Sequence, residues 1–129
     1  MKNLRTFILI ILVLLVVSLF VSCSSNTSKD KEAIEQALNG YVSSYNANHF
    51  EETVTYFTGY SDKQDAIDYL VFLKSVSGNL TIVNFDSDSI AITGNTAKSP
   101  VDFIIMGELS FQWVDFKKVD TGWKILWKQ

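Results

Sequence analysis

Residues 78–106 read GNLTIVNFDSDSIAITGNTAKSPVDFIIM, and at Gly78 the apolar period of the chain changes. Before it, apolar residues recur at spacings of three and four; after it they alternate, in short runs rich in Ile, Val, Thr and aromatics punctuated by Gly and Asp. The carboxyl half therefore reads as an antiparallel β-meander with strands over residues 80–85, 89–93, 96–106, 109–119 and 123–128. Gly107-Glu108 suits a two-residue turn with glycine first, and Asp120-Thr121-Gly122 suits a three-residue turn closed by a left-handed glycine. Pro100 has no N–H to give to a ladder, so it marks an edge or a bulge.

Upstream of Gly78 the pattern is helical. From Asp30 a first apolar stripe runs through Ile34, Ala37, Leu38, Tyr41, Val42 and Tyr45. Gly40 lies inside it at a cost of about 1 kcal/mol, which suggests that another backbone approaches there. The stripe breaks at Asn46-Ala47-Asn48-His49 and resumes through Phe50, Val54, Tyr56 and Phe57 as a shorter second helix ended by Gly59. Ser61 and Gln64 have the spacing of a capping box, and Ile67, Leu70, Val71 and Lys74 continue a third helix. Helices first and then an antiparallel sheet give an α+β fold in which the helices cover one sheet face.

The amino terminus has a separate logic. Lys2 and Arg5 precede an uncharged apolar run, Phe7 to Val21, which ends at Ser22-Cys23. A helix through that run falls short of the roughly 30 Å hydrocarbon layer, which suits a removable export signal better than a permanent span. The segment resembles the signal of bacterial lipoproteins: Val21, Ser22 and Cys23 match their lipobox, while Phe20 stands where Leu is usual. The resemblance implies lipidation at Cys23, a signal peptide over 1–22, a lipid-anchored polar linker over 23–29 that is disordered, and a domain over 30–129. It also implies a location on the extracytoplasmic side of the cell membrane or outer membrane.

Composition sets further bounds. Without Lys2 and Arg5, nine Lys face fourteen Asp and Glu, a formal charge of −5, so nucleic acid is not an expected partner. Cys23 is the one cysteine and His49 the one histidine, which leaves no material for a disulfide, a thiolate cluster or a two-histidine metal site. No phosphate-loop, dinucleotide or hydrolase motif occurs, and no cofactor or metal is expected.

A second resemblance rests on the three helices, on Ile92-Thr93-Gly94-Asn95-Thr96-Ala97 and on the closing Asp120-Thr121-Gly122-Trp123-Lys124-Ile125. Residues 30–129 look like the nuclear transport factor 2-like superfamily. That resemblance implies a cone of helices and curved sheet around an apolar cavity, used by some members for isomerase or dehydratase chemistry and by many for binding alone. Fold does not choose between these uses.

Candidate site residues follow from chemistry. His49 sits in a polar helix break, where a solvated imidazole is the commoner outcome. Asp102 interrupts an apolar strand; on the cavity side it would be a base of raised pKa. Through the two turns it shares a face with Ile104, Met106, Phe111, Trp113, Trp123, Ile125 and Trp127, the more aromatic face and hence the inner one. The superfamily pattern instead brings Ala97 and Val101 inward together with the Trp and Ile of the last strand, which requires a bulge and turns Asp102 out, and an exposed carboxylate is the commoner case. Tyr41, Tyr45, Asp102 and Trp113 are the candidate cavity residues.

Under that register Val101, Phe103, Ile105, Val114, Phe116 and Leu126 lie on the outer face, too apolar to be wholly solvated, and a homodimer through it is the expectation. The function expected is a non-catalytic binding domain for a small apolar molecule or an envelope protein. The competing class is an isomerase- or dehydratase-type enzyme with Asp102 as proton-transfer base.

Overall fold

The computed structural model describes residues 27–128. Residues 31–129 form one compact unit, and the architecture below is that of this unit. Helix α1 is described over residues 27–46, so Thr27, Ser28 and Lys29, expected in a disordered linker, are helical. Once nucleated, a helix adds residues at little cost, and no Pro interrupts this one. The rest of that linker, Cys23 and the 1–22 signal lie outside the described residues.

α1 buries Ile34, Ala37, Leu38 and Tyr45, the stripe read from the sequence. It ends by a device the sequence shows only as a polar break. Asn48 takes φ +61°, His49 N donates to the Ser44 carbonyl at 2.9 Å, and Asn48 N donates to that of Tyr45 at 3.1 Å. This is the paired closure of a Schellman motif, with Asn in the left-handed position. Gly40 does mark a close approach, but by a side chain rather than a backbone: a Cβ there would lie 2.4 Å from the Tyr56 ring.

The second helix is shorter than expected. α2 holds Phe50–Thr53 and a 3-10 turn holds Val54–Tyr56. Phe57, read as its last apolar residue, instead opens a two-residue strand, β1, Phe57–Thr58. Helix α3 spans Lys63–Ser77, and its cap is Asp62 rather than Ser61: the Asp62 carboxylate accepts from the backbone N–H of Gln64 and Asp65. A carboxylate at that position also suits the positive end of the helix dipole.

The sheet strands are β2 Leu80–Asn84, β3 Ala91–Thr93, β4 Thr96–Ile105, β5 Glu108–Val119 and β6 Gly122–Leu126. Their order is β1-β6-β5-β4-β2, with β3 also on β4. Two features correct the simple meander. β1 pairs with β6 in parallel, which makes the sheet mixed. β2 and β3 do not pair with each other; both lie on β4, at Asp102–Ile105 and Thr96–Lys98 respectively. Pro100 falls in the gap between them, at an edge as expected, where β4 has no partner opposite β5.

The first turn lies one residue earlier than read, and the second is one residue shorter. Ile105 pairs with Glu108 across Met106-Gly107, which take φ +55° and +81°, and Val119 pairs with Gly122 across Asp120-Thr121. The first change moves the β4–β5 pairing by two residues and keeps every side chain on its face. The second moves β5–β6 by one, and a one-residue slip exchanges faces. Phe116 therefore lies opposite Ile125, and Ala97, Val101, Phe103, Phe116, Trp123 and Ile125 are buried together with Ile34 and Leu38 of α1. The face expected to form a dimer interface is the core, and the β4–β5 aromatic face expected inside is the outer one. A second cluster joins Tyr45, Val54, Ala66, Leu70 and Leu80, packing α3 beside α1. The fold class is α+β, helices packed on one face of a mixed sheet.

Candidate functional site

The inner sheet face and the helices border a half-open cavity of about 370 Å³, at the small end of ligand sites. Its polar end is made by α1 and α3, which bring Tyr41, Tyr45 and Tyr69 to its wall, while β1 and the end of β6 add Phe57 and Trp127. The short strand β1 places the last two: the parallel pair Phe57↔Ile125 is continued by Trp127 N donating to the Thr58 carbonyl at 2.8 Å. The rings then lock edge to face. Tyr41 and Phe57 centroids lie 4.9 Å apart, Phe57 and Trp127 5.1 Å, and Tyr69 and Trp127 5.5 Å. Tilted contacts of this kind hold aromatic walls more firmly than area alone.

Burial pushes the Tyr41 hydroxyl well above its ordinary pKa, and the nearby Tyr45 and Tyr69 hydroxyls push it further in the same direction. Burial also raises that of Tyr45. Both phenols are therefore neutral hydrogen-bonding groups at any physiological pH. Trp127 Nε1 is buried without a hydrogen-bond partner among the described residues. Phe57, Tyr60 and Tyr69 all meet its ring nearly at right angles, the geometry in which a ring face accepts from an N–H.

The four candidates read from the sequence separate. Tyr41 and Tyr45 line the cavity. Asp102 does not: it is paired with Phe111 on the outer side of β4, accepts from Asn84 Nδ2 at 3.3 Å and borders a different hollow, of about 230 Å³, with Asp86 and Ser89. Trp113 is among the residues that line the cavity, while its indole is largely exposed, beside Phe111 and under Lys98. Asp115, also at the rim, is paired with Lys128. His49 is exposed at the start of α2, with Glu52 3.6 Å away. Among the described residues no group of three His, Cys, Asp or Glu is placed to hold a metal. Phe57 was not read as a site residue: a two-residue parallel strand has no period of its own.

No family model matches the chain, and no curated protein matches it. Among solved structures it is similar to a Campylobacter jejuni protein provisionally named an NTF2-like transpeptidase, at 14% identity and a TM-score of 0.49, over 73% of this chain and 97% of that one.

The Tyr41 shift has a testable sign. In the unfolded chain a tyrosine ionises near its ordinary value of 10.0, whereas in the folded chain Tyr41 holds its proton to higher pH. The stability that this proton linkage represents is complete below pH 10 and is lost as pH rises above it, by at most about 1.4 kcal/mol per pH unit. Tyr41→Phe should remove that part of the slope. Urea unfolding at pH 9 and pH 11 measures it, and parallel losses in the wild type and the variant would show that Tyr41 ionises normally.

Proposed function

We propose that this protein is a lipid-anchored extracytoplasmic lipoprotein whose NTF2-like domain binds a small, apolar, uncharged molecule. The anchor reading comes from Phe7–Val21 and Ser22-Cys23, which lie outside the described residues. The binding reading is supported by one observation, a half-open cavity of about 370 Å³ whose wall includes Tyr41, Tyr45, Phe57, Tyr69 and Trp127. A cone whose aromatic side chains filled its centre would favour a structural module or a protein partner instead. The mostly aromatic and aliphatic lining favours an apolar ligand. A buried Asp102 within reach of a cavity tyrosine would have favoured the enzyme alternative; Asp102 lies on the outer side of β4 and is not in the cavity lining, which supports the binding reading over that one.

Leu73 of α3 lines the same cavity and is partly exposed, so Leu73→Trp should fill the space while leaving the domain folded. A panel of uncharged aromatic and alicyclic compounds is the probe. At a hundredfold excess over its Kd a true ligand stabilises by about 2.7 kcal/mol, a Tm rise of roughly 10 °C or more in a domain of this size. The rise is expected in the wild type and not in Leu73→Trp. Equal rises in both would place the binding elsewhere, and no rise with any member of the panel would count against a cavity ligand.

A further inference from the structure

The outer face of β4, β5 and β6 has two halves of different chemistry. Near the β4–β5 turn, Ile104, Met106, Leu109, Phe111 and Trp113 are 36%, 72%, 70%, 59% and 54% exposed. The pairs Ile104↔Leu109, Asp102↔Phe111 and Pro100↔Trp113 put the strand residues side by side on one face. Such a continuous aromatic and aliphatic patch is unusual on a solvated surface. Further along the same face come Lys98, Lys117 and Lys124, the last two directly paired. Lys98 Nζ lies 5.3 Å from the Trp113 ring and joins the two halves. Of the carboxylates on this face, Asp115 is paired with Lys128 and Asp102 is hydrogen-bonded by Asn84. With Asp115 and Lys128 cancelling, Lys98, Lys117 and Lys124 against Asp102 leave the face a formal excess of +2 (3 − 1) on a chain whose net charge is −3.

We propose that this face docks on the surface of an anionic phospholipid bilayer, with the apolar half entering the headgroup boundary and Lys98 and Lys117 meeting lipid phosphates, while Lys124 Nζ donates to the Thr55 carbonyl. Six residues from Lys98 to Ile104 span about 20 Å of strand, so both halves reach a bilayer when the sheet lies flat on it. Indole and phenyl rings favour that boundary, and each lysine near an anionic surface adds attraction. A second copy of the chain fits less well. Two-fold pairing would press these lysines against another copy's lysines or against its apolar patch, and neither neutralises them. For nearness of the bilayer the proposal rests on the lipoprotein reading: three residues separate Cys23 from Thr27, where the described part of α1 begins, and so short a tether keeps the effective lipid concentration high.

The test uses the full-length chain reconstituted in vesicles of phosphatidylglycerol or phosphatidylcholine with brominated acyl chains. The difference in emission between wild type and Trp113→Phe isolates Trp113, and flotation reports attachment separately. Trp113 should be quenched in phosphatidylglycerol and largely spared in phosphatidylcholine, and Lys98→Gln or Lys117→Gln should each lower the docked-to-undocked ratio roughly fivefold. A chain that floats with Trp113 unquenched, or equally quenched in both lipids, overturns the docking and leaves the anchor standing. A chain that neither floats nor shows quenching overturns both. Shielding of Trp113 before vesicles are added, with self-association in sedimentation, overturns the proposal in favour of a second copy.

Discussion

Phe103→Glu is expected to leave no folded domain. Phe103 is 4% exposed and packs in the cluster with Ile34, Leu38, Val101 and Phe116. Removing a buried phenyl costs about 3–5 kcal/mol, and a carboxylate in its place, with no cation in that cluster, adds several kcal/mol of desolvation. Against a total stability of roughly 5–15 kcal/mol, the loss is enough to unfold the chain. Circular dichroism and sedimentation should show an unfolded or aggregated protein. Phe111→Glu, on the outer face of the neighbouring strand, should keep its native spectrum with a change within about 0.5 kcal/mol. A well-folded Phe103→Glu beside an unfolded Phe111→Glu would mean that the strand faces are reversed.

That pair of substitutions tests the point at which reasoning from sequence went wrong. Reading the last turn as Asp120-Thr121-Gly122 and not as Asp120-Thr121 joined Trp123 and Ile125 to the Trp113 face. It turned the core into a dimer interface. Gly122 has φ +119°, a conformation that fits a glycine closing a longer turn and a glycine opening a strand alike, so residue type alone could not decide. The superfamily pattern, which brings Ala97 and Val101 inward with the last strand's Trp and Ile, had the faces right and needed no bulge between β5 and β6. The period change at Gly78, the α1 stripe and the order of helices before sheet were legible because each is a local pattern repeated over many residues. β1 was not: a two-residue parallel strand draws its stability from a partner 68 residues away, Phe57 on Ile125. With β1 hidden, Phe57 could not be seen as a cavity wall. Tyr41 and Tyr45 could, because the stripe that buries them is the stripe that the sequence displays.

The remaining large effect comes from a residue that reads as mere punctuation. Asn46, the last residue of α1, donates through Nδ2 to the Leu80 carbonyl at 2.7 Å and accepts from Leu80 N at Oδ1 at 2.8 Å. Its amide thus acts as a one-residue strand partner, riveting the helix end to the first residue of β2. Lys74 braces the same joint from α3, donating to the Tyr45 and Asn46 carbonyls at 3.2 and 3.0 Å. Leu80 is buried, so truncation of Asn46 strands a donor and an acceptor that water reaches poorly. At about 1–3 kcal/mol for each unsatisfied group, Asn46→Ala should cost roughly 2–5 kcal/mol. Asn46→Asp keeps the acceptor and loses the donor, and should fall between. Urea midpoints at constant m-value give both numbers. Because Tyr45 and Leu80 both line the cavity, Asn46→Ala should also weaken any ligand found with the wild type, even under conditions where the variant is fully folded. A cost below about 0.5 kcal/mol, the range of an ordinary surface change, would show that the joint is held by apolar packing alone.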